Sequence, residues 1–114
     1  MERMRHGKYN AQKTVVDGIT FDSKREAERY GELKLLERAG KILDLKLQPR
    51  FELQPAFRTK DGKAIRCVEY VADFTYIENG TRIVEDCKGM QTDVFKLKLK
   101  LLLFKYPGIN FRLT

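Results

Sequence analysis

The sequence predicts an α/β (α+β) fold: a central mixed β-sheet flanked by helices, in the order α-β-β-β-α-β after an N-terminal hairpin. Three observations carry that expectation. Ser23-Lys-Arg-Glu26 opens a run with no breaker before Gly40; two β-branched and aromatic runs flank Asn79-Gly80; and the stretch from Phe95 to Phe104 stops at Pro107-Gly108 before a last apolar segment. At 114 residues the chain fits one domain, with residues 14–114 as its body and residues 1–13 as a flexible basic arm carrying Arg3, Arg5, His6, Lys8 and Lys13.

Taken in order, Thr14 to Phe21 reads as a small hairpin turning at Asp17-Gly18. Ser23-x-x-Glu26 is a capping box, in which a serine accepts from the first free amides of a helix, and Gly40 is a natural stop. Ala27, Tyr30, Leu33 and Leu36 form the apolar stripe between them, and Glu26 borders that buried face. Leu43 to Leu47 reads as a short strand. Phe51 to Phe57 reads as a strand interrupted at Pro55, because proline cannot donate to a ladder. Asp61-Gly62 marks a turn, after which Ala64 to Ile77 and Arg82 to Lys88 form a long hairpin. The Leu/Lys alternation from Phe95 to Phe104 fits a strand by period and a helix by length. Helix is the better reading: Thr92-Asp93 can cap it, Pro107-Gly108 ends it, and no β-branched residue follows Val94. Ile109 to Leu113 closes the chain as a strand.

A formal net charge of +7 favours a polyanionic partner, nucleic acid before an anionic membrane. No apolar run approaches the eighteen or so residues that cross a bilayer, and the N-terminus lacks the apolar segment of a secretion signal, so a cytoplasmic protein with no membrane partner is expected. Cys67 and Cys87 fall on opposite faces of the long hairpin, which argues against a disulfide. With one histidine besides them, they cannot assemble the four N/S ligands of a zinc site. Any metal should be a hard ion held by oxygen.

The long hairpin also carries the candidate chemistry. A two-residue loop at Asn79-Gly80 sets Glu78 opposite Thr81, and counting back from there sets Asp73 opposite Asp86. Lys88, two residues on, points to the same face. Two carboxylates about 5 Å apart repel unless something compensates. One reading is a cation site, with the ammonium group beside it. The other is a surface cluster in which Lys88 neutralises one acid and water solvates the other. Either way, removing one acid is expected to raise the stability of the metal-free protein slightly. Glu85, next to Asp86, faces the opposite side with Phe74. Lys96 and Lys100 stack one turn apart on the last helix, with Lys98 and Lys105 further round, and these lysines read either as a solvated face or as a phosphate-facing patch.

The order of elements, the glutamate of the first helix and the Asp…Asp-x-Lys pattern on the hairpin together resemble the PD-(D/E)XK nuclease superfamily, with its restriction-endonuclease-like core. The resemblance runs from about Asp17 to Thr114. It is closest to a branch of small, uncharacterised proteins encoded by bacteriophages and prophages, which share the segment Gly18-Ile-Thr-Phe-Asp-Ser-Lys-Arg-Glu-Ala-Glu-Arg-Tyr30 and the Gln48-Pro49 step. Ala72 stands where the name-giving proline would, at a position that varies in the superfamily.

What the resemblance implies is a metal-dependent endonuclease that hydrolyses DNA phosphodiester bonds. It would select its substrate by structure, as a resolvase does, and act in phage replication or recombination in the host bacterial cytoplasm. Glu26, Asp73, Asp86 and Lys88 would be catalytic. Asp73, Asp86, the Cys87 backbone carbonyl and Glu26 would bind Mg²⁺ or Mn²⁺, and Lys88 would stay protonated, orienting the attacking water. Lys13, Arg25, Gln91, Lys96, Lys98 and Lys100 are the candidate DNA contacts, although Gln91 could equally begin the last helix. A homodimer is compatible with a two-strand cut. The alternative is a non-catalytic nucleic-acid-binding accessory protein with a nuclease-like fold.

Overall fold

A computed structural model describes residues 12–114; the basic arm expected at the N-terminus lies outside them except for Gln12 and Lys13. The protein is a mixed α+β structure, and its chain divides into two compact units, Met1–Ile42 and Leu43–Thr114.

In the first unit, strands β1 (Thr14–Val16) and β2 (Ile19–Phe21) pair antiparallel around Asp17 and Gly18, both at positive φ, the conformation that a two-residue hairpin turn requires. Helix α1 (Lys24–Arg38) begins as its capping signal predicts: the Ser23 hydroxyl accepts the Glu26 amide at 3.1 Å. It ends with Gly40 at φ +78, whose amide reaches the Glu37 carbonyl, while the Lys41 amide reaches back to Leu36. These paired bonds satisfy the last carbonyls, and the left-handed residue between them suits glycine. Glu26, Ala27, Tyr30 and Leu33 are buried. Tyr30 packs its ring 5.0 Å from that of Phe21 and donates to Asp17 at 3.0 Å, tying the helix to the hairpin turn.

The second unit is built on a four-stranded sheet. Its strands β3 (Leu43–Leu47), β8 (Phe74–Glu78), β9 (Thr81–Asp86) and β10 (Ile109–Leu113) lie in the order β10-β9-β8-β3, with β10 parallel to β9 and the other pairs antiparallel. Helix α2 (Asp93–Lys105) supplies the crossover that a parallel neighbour needs, so the helical reading of the Leu/Lys segment holds. The Thr92 hydroxyl caps it by accepting from the Phe95 amide at 3.1 Å.

One expectation is corrected here. The run from Ala64 to Ile77 is not a single strand but three: β6 (Ala64–Ile65), β7 (Val68–Val71) and β8. β6 pairs with β5 (Phe57–Arg58) around the turn at Asp61-Gly62, and β7 pairs with β4 (Arg50–Gln54), so the segment expected as one strand interrupted at Pro55 is two separate strands. The physical cause lies at two facing breaks. Gln48 takes φ +49 ahead of Pro49, and the bends at Gln48-Pro49 and Ala72-Asp73 are stitched together by Gln48 N–H to Asp73 O (2.9 Å) and Ala72 N–H to Pro49 O (3.1 Å). Both strands therefore change direction at the same level. Tyr70, Ala72, Val84 and Leu102 form the core beside this bend, with Phe51, Leu53, Phe95, Leu99, Tyr106, Ile109 and Phe111 packed around it.

Candidate functional site

The predicted hairpin register is the observed one. Glu78 faces Thr81 and Phe74 faces Glu85, and one step further Asp73 meets Asp86 just where β8 bends away. Asn79 (φ +52) and Gly80 (φ +78) make the turn that fixes the count.

At that bend each acid accepts a backbone amide from the facing segment. Asp86 Oδ1 accepts the Asp73 amide at 2.8 Å, and Asp73 Oδ2 accepts the Cys87 amide at 2.7 Å. The carboxylates thus replace ladder bonds that the diverging strands can no longer make to one another. Tyr70, buried on β7, donates its hydroxyl to Asp86 Oδ2. These three donors supply much of the compensation that an acid pair needs, so the expectation that losing one acid would stabilise the protein does not fit this arrangement. An amide and a phenol would be left without their acceptor.

Asp86 is fully buried. Burial pushes its carboxyl above the usual carboxylate range, against the Tyr70 hydroxyl, the Lys88 charge and the Asp73 amide, which pull it down. Burial, followed by the neighbouring Asp86 carboxylate, drives the Tyr70 phenol far upward, so Tyr70 remains a donor. Lys88 is half-buried, and its ammonium sits 5.7 Å from the centre of the Phe95 ring on the first turn of α2. Phe95 also lies beside the Tyr70 ring at 6.3 Å, and Phe111 meets Tyr70 edge-on at 6.2 Å. Aromatic packing therefore braces both the donor to Asp86 and the lysine. Tyr70 and Phe95 were missed by sequence reasoning. Tyr70 stands sixteen residues from Asp86, across a strand break that the sequence pattern did not reveal.

Two adjacent acids on β9 serve opposite faces, as the register requires. Glu85 is fully buried, accepting from the Tyr76 hydroxyl and from Thr114 Oγ1 at 3.0 Å; Arg112 donates to the Tyr76 oxygen at 3.0 Å and to Glu78 at 2.9 Å. This is a satisfied internal network, distinct from the Asp73-Asp86 pair. Cys67 and Cys87 are free thiols.

The other predicted residues are placed as follows. Glu26 is buried on α1 in the first unit. Arg25 is exposed one residue before it, and Lys13 is exposed and lies 3.7 Å from Asp22. Gln91 is exposed one residue ahead of the Thr92 cap, so it does not begin the helix. Lys96 and Lys100 are exposed on α2. At 100° per residue, Lys98 lies about 160° round from Lys96 and from Lys100.

As a metal site the donor chemistry fits a hard cation. Asp73, Asp86 and the Cys87 carbonyl offer oxygen only, a carboxylate oxygen has two lone pairs with which to accept, and Mg²⁺ commonly retains several waters around one or two carboxylates. Among the described residues no group of three or more His, Cys, Asp or Glu comes together that could hold a metal ion. No described helix is long and apolar enough to cross a membrane.

Compared with known proteins, residues 6–114 match the model of a family described as a protein of unknown function, DUF1064. No curated protein matches the chain.

Proposed function

The chain belongs to the DUF1064 family, and from that premise we propose that it is a Mg²⁺- or Mn²⁺-dependent DNA endonuclease of the PD-(D/E)XK type, selecting its substrate by structure. The reading is carried by one observation: Asp73 and Asp86 meet across the end of the β8–β9 pair, with Lys88 two residues further along the same strand direction. It is supported by the succession α1, β3, β8, β9, α2, β10, which follows the α-β-β-β-α-β order of a restriction-endonuclease-like core.

In this reading Asp73, Asp86 and the Cys87 carbonyl hold the ion. When bound, it supplies Lewis acidity toward a phosphate oxygen and lowers the pKa of a coordinated water. The remaining work falls to side chains. Lys88, kept in place over Phe95, orients the attacking water and offsets the charge that grows on the phosphoryl oxygens as a bridging P–O bond breaks. Tyr70 fixes the rotamer of Asp86 by holding its second oxygen, the outer support that metal ligands commonly need. Lys96 and Lys100, stacked on one side of α2, are suited to a phosphate backbone, and Lys13, Arg25 and Gln91 are the further candidates. The role of Glu26 rests on the resemblance, and Glu26→Gln tests it. A double-strand cut would take two copies.

The alternative is a nucleic-acid-binding accessory protein without cleavage, which the formal net charge of +7 fits equally. The experiment that separates the two is incubation with linear, nicked, flapped and four-way DNA, and with RNA, in Mn²⁺ and in EDTA. Cleavage in Mn²⁺ that EDTA stops supports the nuclease, and the pattern of substrates cut names its preference. Binding without cleavage in every arm leaves the accessory protein.

A further inference from the structure

Helix α2 carries two apolar stripes, and the protein uses one. Phe95, Leu99, Leu102 and Tyr106 face the core. Val94, Leu97, Leu101 and Phe104 do not: they are 63%, 56%, 40% and 86% exposed. Their spacing of three, four and three residues is that of a heptad seam, gathered into an arc of about 80° on the helix surface and running about 15 Å along it. A helix apolar on both sides is ordinarily covered on both.

We infer that this outer seam of α2 docks an acidic amphipathic helix from a protein partner. Three properties select that occupant. The seam is narrow, the width of a coiled-coil contact, whereas a helix lying in a lipid surface presents a broad apolar face. Its flanks are mostly basic: Lys98 and Lys105 stand where the e positions of a heptad would, Lys100 stands at one g position and Asp93 at the other. Lys105 is within 3.8 Å of Glu52, so Lys98 and Lys100 are the flanks that would meet the partner. Antiparallel, a second copy of this chain would bring lysine against lysine; in parallel it would set Lys100 against Lys105 even though Asp93, at the other g position, met Lys98, whereas glutamates on a partner's e and g positions would pair with every flanking lysine. Phosphate, finally, has no use for four aliphatic and aromatic side chains.

The test uses the whole protein and a labelled model peptide of three heptads, roughly 21 residues, with leucine at a and d and glutamate at e and g. A companion peptide carries lysine at e and g. Binding is read by fluorescence anisotropy below the concentration at which either peptide associates with itself. Because Lys100 is also a candidate phosphate contact, the buffer contains no DNA, and the result does not depend on whether the protein is a nuclease. The acidic peptide should bind at least tenfold tighter than the basic one. The paired change Leu97→Gln and Phe104→Gln should weaken it at least tenfold, and Lys98→Glu with Lys100→Glu should reverse the preference. Leu97, Lys100 and Phe104 are exposed and Lys98 is half-buried, and an unchanged circular dichroism spectrum checks that the variants fold. Equal binding of the two peptides, or binding indifferent to the glutamine pair, overturns the inference. So does a dimer in sedimentation that Phe104→Gln dissolves, which would give the seam to a second copy. Seam-dependent binding to phosphatidylglycerol vesicles, without preference between the peptides, would give it to a lipid surface.

Discussion

Asp86 Oδ1 accepts the backbone amide of Asp73 at 2.8 Å, so an aspartate of one strand closes the hydrogen bonding of the aspartate that faces it on the other. Asp86→Ala removes the acceptor for that amide and for the buried Tyr70 hydroxyl. Each orphaned donor costs about 1–3 kcal/mol. Urea unfolding should therefore show Asp86→Ala less stable by at least that amount, with Asp86→Asn closer to the parent because it keeps one acceptor oxygen. A gain in stability for the alanine variant would mean that repulsion between the acids, not their hydrogen bonding, dominates.

The nuclease reading separates cutting from binding. Asp73→Ala and Lys88→Ala should each abolish Mn²⁺-dependent cleavage of whichever DNA the parent cuts, while retaining DNA affinity within a few-fold, because Lys88 acts at the scissile phosphate alone and neither residue is among those proposed to hold the rest of the DNA backbone. Cleavage gels run beside a mobility-shift titration measure the two quantities on one preparation. Variants that cut at the parental rate would show that the roles of these residues are wrongly assigned.

Tyr70→Phe is the sharper probe of the site because it removes one oxygen and keeps the ring between Phe95 and Phe111. Partners that orient a metal ligand typically contribute 10- to 100-fold in affinity, so calorimetry should find Mn²⁺ bound about 10-fold or more weaker. Losing the hydroxyl takes a donor from the buried Asp86 carboxyl and should cost about 1–3 kcal/mol of stability. Unchanged Mn²⁺ affinity would leave Tyr70 as core packing alone.

How far the sequence spoke for the site depended on how local the signal was. The facing of Asp73 and Asp86 was legible because Asn79-Gly80 admits one common turn geometry, and a two-residue turn fixes every pairing that follows. The separation of Glu85 from Asp86 onto opposite faces came from the same count. The break at Ala72-Asp73 was hidden, since Tyr70, Val71, Ala72 and Asp73 continue an apolar strand pattern without punctuation. Its cause lies more than twenty residues upstream, where the Pro49 carbonyl captures the Ala72 amide. Tyr70 was invisible for the same reason: nothing in a continuous strand pattern announces a phenol turning toward an acid on another pair of strands. On α2, the cap at Thr92 and the stop at Pro107 revealed the helix, but the Leu/Lys alternation concealed that its leucines divide between a buried and an exposed side.

Acid should weaken the second unit through Asp44. The Arg82 guanidinium donates to its carboxylate at 2.8 Å, and this bond, with Lys46 nearby, holds Asp44 below the ordinary carboxylate range. A group depressed on folding contributes stability that is fully present above its unfolded pKa and is lost as pH falls through its folded one. Thermal melts between neutral and strongly acidic pH should show Asp44→Asn losing less of its stability over the acid limb than the parent. Asparagine tolerates the positive φ at this position, so backbone strain does not confound the comparison. Parallel acid limbs would mean that the Asp44–Arg82 pair contributes nothing measurable.

The turn at Asn79-Gly80 is the last test, because the whole site depends on its register. Gly80 sits at φ +78 with open space around the position where a Cβ would stand, so a side chain there meets backbone strain and not a clash. A β-branched residue is the least tolerant of that conformation, and Gly80→Val should cost about 1–2 kcal/mol. The fold has two ways to respond. If β8 and β9 keep their pairing, the loss appears as a lower urea midpoint while the amides of Asp73 and Cys87, bonded to the opposing carboxylates, stay protected in hydrogen exchange. If the pairing slips by one residue, Glu85 and Asp86 exchange faces, those two amides lose their carboxylate acceptors, and Mn²⁺ binding disappears together with their protection. A slip of β9 would exchange the faces of Ile83, Val84, Glu85 and Asp86, all buried, a cost far above the strain at one glycine. The expected outcome is therefore a destabilised protein with the site intact.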